Sequence, residues 1–341
     1  MSTEVPSGSL SNEAVSIEKQ PLTQRVQRVL GSLVRAREAG IGLVVIIIMV
    51  ILTLSTPYFL TPSNLAIVAR QVSLSAIIAI GMTLVILLGG IDLSVGSVVA
   101  FVSVVTGFVM VNLQMPILVS ILSGLLVGAF VGWANGFLVV RTNVHPFIVT
   151  LGMMGLARGA ALVITKGSTI SGLPVAYLNL GQGYIGGYVP IPVIIMIVIA
   201  IAFHVILNYT TFGRRIYFIG SNEEAALLSG IKVNRMKVIV FTICAALAAT
   251  EAVIETARMS TAQPASGVGY ELTAIGAVII GGASMMGGEG TIVGTILGAT
   301  LLGLITNGLI LVGISAYWQQ VFSGTIIILA VALDTWRRQR S

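Results

Sequence analysis

The sequence predicts an all-α, polytopic transmembrane protein of about ten spans, with both termini cytoplasmic and a candidate two-half internal repeat. Three observations lead there. The 341 residues are 56% hydrophobic and only 9% charged, too few charges to coat a water-facing surface. The apolar residues come in long runs: Ile41 to Leu54 is almost wholly apolar and continues to Leu60 with few interruptions. Such runs approach the ~20 residues a helix needs to cross the bilayer core, and are too long and uniform for barrel strands. The basic residues, finally, fall on one side of an alternating count of spans.

The first 39 residues read as a cytoplasmic tail, polar and largely disordered to about Gln24, then basic through Arg25, Arg28, Arg35 and Arg37. It does not resemble a cleaved signal, because the first apolar run starts only near Gly40. The transmembrane domain occupies 40–335, and 336–341 is a basic cytoplasmic tail. Spans are expected at 40–60, 66–88, 94–113, 116–140, 146–165, 190–207, 237–259, 271–287, 291–312 and 317–334. The eighth is short for a crossing and ends in glycines, so a broken or re-entrant helix is open there. With the N-terminus inside, 14 of the 18 Lys and Arg residues lie on the cytoplasmic side, and an odd count would place the Arg337-Arg338-Gln339-Arg340 tail outside. The repeat rests on Leu74-Ser75-Ala76-Ile77 leading to Gly89-Gly90, and Leu272-Thr273-Ala274-Ile275 leading to Gly281-Gly282.

Several chemistries are excluded. No Gly-Lys pair occurs, so the chain lacks the usual ATP phosphate loop. His145 and His204 have no metal-spaced partner, neither H-E-x-x-H nor G-x-S-x-G is present, and no catalytic or metal-ligating set is expected. The net charge of +6 lies in loops and tails rather than in a patch with interleaved aromatics, so nucleic acid is not an expected partner. Cys244 has no intrachain partner and reads as a small packing residue.

Four places could carry function. Gly89-Gly90-Ile91-Asp92-Leu93-Ser94 interrupts two apolar helices; Asp92 or Ser94 caps the next helix, or Asp92 lines a pathway or braces its gate. Glu251, Glu255 and Arg258 share one span, with Glu251 roughly 20 Å in from Lys237. They read either as an interfacial Glu255–Arg258 pair with Glu251 bonded to a neighbouring helix, or as a polar lining for a hydroxyl-rich solute. Asn135 and Glu271 complete the pathway candidates. The 208–236 loop holds a short helix capped by Ser221 or Asn222, with Glu223 and Glu224 in its first turn and Gly230 ending it.

At that loop the sequence resembles a known family. Glu224-Ala225-Ala226 followed by Gly230 is similar to the coupling-loop signature of binding-protein-dependent ABC importer permeases. The whole chain from about 40 to 335 resembles the ribose/xylose/arabinose/galactoside permeases, through Gly81-Met82-Thr83-Leu84-Val85-Ile86, Gly89 to Ser97, Thr150-Leu151-Gly152-Met153-Met154, Gly220 to Ala226, Gly269-Tyr270-Glu271-Leu272 and Tyr317-Trp318-Gln319-Gln320. The resemblance implies a permease homodimer or related heterodimer in the bacterial inner membrane, moving a monosaccharide or related polyhydroxylated solute by alternating access. It implies a cytoplasmic ABC ATPase carrying ATP-Mg on a separate chain, an extracytoplasmic sugar-binding protein, and no cofactor on this chain. Glu223, Glu224, Ala225, Ala226 and Gly230 would seat in that ATPase. The chain departs from the family pattern at Thr273, where Asp is usual, and at Glu251 and Glu255, where small apolar residues are usual. The competing expectation is an ion- or proton-coupled carrier using intramembrane carboxylates.

Overall fold

A computed structural model describes residues 37–315 and, beyond them, Trp318, Val321, Gly324, Thr325 and Ile328. Helices α1 (Arg37–Ser55), α2 (Pro62–Leu87), α3 (Val95–Gly107, continued by a π-helical turn Phe108–Asn112), α4 (Ile117–Thr142) and α5 (Pro146–Thr165) come first. A short α6 (Val175–Gln182) and a hairpin, β1 (Tyr184–Ile185) with β2 (Val189–Pro190), precede α7 (Ile191–Tyr209). Then follow α8 (Thr211–Ser221), α9 (Glu223–Leu228), α10 (Val233–Met259), α11 (Tyr270–Ile280) and α12 (Ile292–Leu311).

Eight of these helices are long and apolar enough to cross a membrane: α1, α2, α3 with its π turn, α4, α5, α7, α10 and α12. They coincide with eight of the ten expected spans. The expected span 271–287 needs correction, because its helix stops at Ile280. Gly281 and Gly282 follow, Gly282 at φ +89°, where an L side chain is strained, and the chain continues as glycine-rich loop to α12. The expected span 317–334, the first 36 residues and the 336–341 tail lie wholly or mostly outside the described residues.

Local chemistry sets the helix ends. Thr61 and Thr291 each accept an amide of the following turn, and Pro62 sits at the first helical position of α2. His145 does the same for α5, its Nδ1 accepting from the Phe147 amide, which gives this histidine a capping role. The 208–236 loop holds two helices instead of one. Asn222, rather than Ser221, caps α9 by accepting from the Ala225 amide at 2.9 Å, and Gly230 at φ +78° follows the helix.

In lipid, helices gain little from hiding apolar surface, so close packing and buried polar bonds decide which helices associate. Helix α4 presents Gly124, Gly128, Gly132 and Gly136, one per turn, as a flat column. Gly124 faces Thr106 and Val102 of α3; the next three face Ala249, Ala245, Phe241 and Val238 of α10. A side chain at Gly132 would meet the Phe241 carbonyl and the Ala245 methyl. Hydroxyl and amide bridges tie the other pairs: Thr83 to Thr295 at 2.7 Å, Thr256 to Ser103 at 2.7 Å, and Asn64 to Asn307 reciprocally at 3.1 and 2.8 Å. Helices α2, α3 and α10 are accordingly the most buried, whereas α1 is exposed along most of its length.

Two ends can be distinguished. At the basic end, the Gly288 amide donates to the Leu87 carbonyl (2.9 Å), and Lys237 bonds Glu223 (2.7 Å). At the other end, Arg70 donates to the Gln182 carbonyl (2.6 Å) and stacks on Tyr184, while Ile170 and Ala262 exchange backbone bonds. The loop after Ala262 then dips inward. Ala262 packs on Gly107, but Gly267 packs on Gly96, eleven residues earlier in α3's course, so α11 starts inside the helix bundle.

Gly132→Leu is expected to destabilise the protein by about 1–3 kcal/mol through overpacking, despite leucine's better helix propensity. Gly42→Leu, at a position with open space around it, is expected to leave the detergent-solubilised unfolding midpoint within experimental scatter. Equal midpoints for the two variants would contradict the role given to the α4 column.

Candidate functional site

A cavity of about 730 Å³ opens between α2, α10, α11 and α12. Its polar wall is Gln71 and Ser75 of α2, Glu255 and Arg258 of α10, Tyr270, Glu271 and Thr273 of α11, and Thr306 of α12. Leu74, Ile78, Leu272 and Leu302 supply the apolar wall. The cavity exists because α11 begins inside the bundle: its first turn, which a full-length span would have buried in helix, is left as lining. Glu255 is almost fully buried and is held three ways. Arg258 Nε donates to Oε2 and Nη2 to Oε1, both at 3.2 Å, and the Tyr270 hydroxyl donates to Oε1 at 3.2 Å. Glu255 and Arg258 thus form an i,i+3 ion pair in the cavity wall. Glu251, one turn deeper, is fully buried, and neither carboxylate oxygen has a hydrogen-bond partner among the described residues. It is therefore not bonded to a neighbouring helix as one reading required.

Asp92, Ser94 and Asn135 meet in a second cluster, fully buried and away from the cavity lining. Asp92 Oδ1 accepts from the Ser94 amide (2.8 Å) and the Ser94 hydroxyl (2.6 Å), and Asn135 Nδ2 donates to Ser94 Oγ (2.9 Å). The expected capping thus takes another form: Ser94 makes no side-chain cap, because its hydroxyl is turned sideways to join α4, and Asp92 holds the Ser94 amide. Thr150 of α5 accepts from the Leu93 amide at 3.2 Å and closes the segment from the other side. Gly89 takes φ +75° in the break, and Gly90 packs on Val85 and Phe241. Glu271 lies between the two clusters. Its carboxylate lies against Gly96 at the start of α3 and also lines the cavity. Arg158 supports the same place, donating to the Pro264 carbonyl (2.8 Å), the Ser266 carbonyl (2.6 Å) and more weakly the Gly96 carbonyl (3.4 Å).

Of the expected pathway residues, the structure places Glu255 and Glu271 in the cavity wall and Glu251 beneath it, while Gly90, Asp92, Ser94 and Asn135 form a buried junction with Gly89 exposed at its edge. Gln71, Ser75, Arg158 and Thr306 were missed. Gln71 and Ser75 sit one turn apart in an otherwise apolar helix, a spacing that puts both on one face and could have marked them.

At the basic end, α8 and α9 lie on a seam of glycines. Gly220 packs its backbone against the Leu87 carbonyl and the Gly288 amide, and Gly287 and Gly288 pack against Gly220, Gly89 and Ser221. The Tyr217 hydroxyl donates to the Gly290 carbonyl at 2.7 Å; burial and the nearby Glu38 carboxylate raise its pKa above the usual phenol range, so it remains a donor at physiological pH. Above the seam, Ala226 is buried and Ala225 half-buried, whereas Glu223, Glu224, Leu227 and Leu228 are exposed. Glu223 is engaged by Lys237, leaving Glu224 without an ion pair among the described residues. The exposed acids and leucines of α9 follow directly on α8, whose Gly220 and Ser221 pack against the end of α2 and the loop after α11; α2 lines the cavity higher up, and that loop joins the two cavity-lining helices α11 and α12.

A multi-pass helical bundle with an internal polar cavity and an exposed helix wired to its broken elements defines a membrane transport protein. Residues 64–331 match the family described as the branched-chain amino acid transport system permease component, and the chain belongs to that family. Curated relatives include the ribose import permease protein RbsC of Bacillus subtilis strain 168, 44% identical over 290 residues that cover 84% of this chain and 89% of the relative. The RbsC protein of Escherichia coli K12 is 45% identical, covering 85% and 90%. The D-allose transport system permease protein AlsC of the same organism is 38% identical, covering 85% and 88%. No solved structure gives a significant match. The chain is a transport subunit rather than an enzyme, and its family favours the driven permease over the ion-coupled carrier.

Arg258→Met leaves Glu255 buried with only Tyr270 as partner and is expected to destabilise the protein by about 3 kcal/mol. Adding Glu255→Met to it is expected to recover most of that loss. A thermal-unfolding double-mutant cycle measures both, and additive losses would show that the two groups do not depend on each other.

Proposed function

We propose that this chain is the membrane-spanning permease of an ABC importer for a monosaccharide, acting as a dimer in the bacterial inner membrane. The observation that carries this reading is the identity of 44–45% to ribose import permeases along nearly the whole chain. The cavity supports it. Gln71, Ser75, Thr273 and Thr306 offer hydroxyl and amide groups that suit a neutral polyhydroxylated solute. Glu255 and Arg258 neutralise each other, so no unpaired cation and anion are presented there for an amino-acid zwitterion.

In this reading a loaded sugar-binding protein docks on the end bearing α6 and the hairpin, and a separate ATPase that binds ATP-Mg seats Glu223, Glu224, Ala225, Ala226 and Gly230. With the basic end cytoplasmic, the charge distribution follows the usual orientation. Movement of α9 passes through Gly220 to Leu87 and Gly288, and so to α2 and the loop between α11 and α12. Helix α2 and the two helices joined by that loop, α11 and α12, wall the cavity, and their shift changes the side to which it opens. Nucleotide drives the change only because the closed ATPase favours one of the two arrangements.

Vesicles containing the chain, its ATPase and its binding protein are expected to take up an aldose such as ribose, allose or arabinose with ATP inside, and not leucine. Leucine uptake without aldose uptake would overturn the substrate class. Glu224→Arg is expected to abolish uptake while the protein still inserts and folds; near-normal uptake would remove α9 from the coupling route. Ser75→Trp is expected to fill the cavity and stop transport while leaving the ATPase bound, which co-purification reads directly.

A further inference from the structure

We propose that a pocket beside α9 binds the headgroup phosphate of an anionic phospholipid. This second cavity, about 530 Å³, lies between α8, the turn Gly230–Lys232 and the first two turns of α10. Three cations line it: Arg215, Lys232 and Arg235. No acidic residue does, and among the described residues none of the three makes an ion pair. Of the two acids of the adjacent α9, Glu223 is bonded by Lys237, and neither Glu223 nor Glu224 lines the pocket. Lys232 occupies the capping position of α10, where no side chain caps the helix, so the free amides and positive end of a 27-residue helix add to the same field.

The remaining wall identifies the ligand class. Phe212, Met236 and Ile239 are apolar, and Met236 and Ile239 begin the hydrophobic run of α10. Helix α8 packs Ile216 and Ile219 into the core of the bundle and leaves Arg214, Arg215 and Phe218 exposed beside the pocket. Cations at the headgroup level above an apolar wall match a phosphate with acyl chains below it. A free phosphate would use the cations and leave the wall uncovered. An acidic protein surface would reach the rim and leave the wall uncovered as well. The proposal depends only on the chain spanning a membrane, not on which solute it carries.

Native mass spectrometry of the full-length, detergent-purified chain tests it, with phosphatidylglycerol and phosphatidylethanolamine of identical acyl chains as probes. The unmodified protein is expected to retain phosphatidylglycerol on the order of tenfold better than phosphatidylethanolamine. Arg215→Gln/Lys232→Gln/Arg235→Gln is expected to lose that preference, and Arg141→Gln/Arg214→Gln, at the same end but outside the pocket, to keep it. If the triple variant does not fold, Arg235→Glu, at an exposed position, gives the same reading. Four results would overturn the proposal: no preference in the unmodified protein, preference retained without the three cations, equal loss in the Arg141/Arg214 control, or displacement of the lipid by equimolar inorganic phosphate. Preference retained together with loss of the co-purifying ATPase would assign the cations to that protein contact.

Discussion

A helix that stops inside a membrane protein leaves carbonyls and amides that hydrocarbon cannot satisfy, and two such stops meet among the described residues. One follows Leu87, the other Ile280. Each is resolved by the other. The Leu87 carbonyl takes the Gly288 amide, and the loops behind them close over Gly287 and Gly220 with no room for a Cβ, while Gly89 turns the chain at φ +75°. The breaks are tolerable because they meet, and they can meet only because the residues at the meeting point are glycines. From that single requirement follow the start of α3 beside Asp92, the shortness of α11, the cavity that α11 leaves open and the seat of α8.

The rest of the bundle is arranged around this junction. The glycine column of α4 brings α10 close enough for Gly90 to pack on Phe241 and for Asn135 to reach Ser94. Close approach is purchased with glycine, whose flexibility weakens a helix in water; here the surrounding backbone and lipid hold the conformation. Polar bridges such as Thr83–Thr295 and Ser103–Thr256 then fix the register of neighbouring helices at the depth of the breaks. Among the described residues charge is concentrated in three places: an ion pair in the cavity wall, acids on the exposed α9, and cations at the same end of the bundle.

Much of this was legible in the sequence. Long apolar runs located eight helices, and the asymmetric placement of Arg and Lys separated the two ends. The Gly-Gly pairs marked both breaks, and the acids after Ser221 marked α9. What escaped was depth. Hydropathy could not show that the chain dips inward between Ala262 and Tyr270, because Gln263, Pro264 and Ser266 read as an ordinary surface loop. Without that dip, Glu271 has no reason to approach Gly96 and Arg158 no reason to be in α5; its partners are carbonyls of the dipping loop, invisible to side-chain patterning. Asp92 and Glu251 were recognisable as unusual, but their different fates depended on neighbours 40 or more residues away or on there being none.

Helix α1 adds a consequence for biogenesis. Its packing among the described residues is with α12: Glu38 bonds Thr291, Leu52 covers Gly308, and Val45 joins Leu301 and Leu304 in one cluster. The first of the described membrane helices therefore meets its main partner only after the last of them has been made. Until then it must persist as a lone, lipid-solvated helix, for which its almost unbroken Val, Ile and Leu surface is suited. Assembly of the described bundle closes by joining the first of its membrane helices to the last.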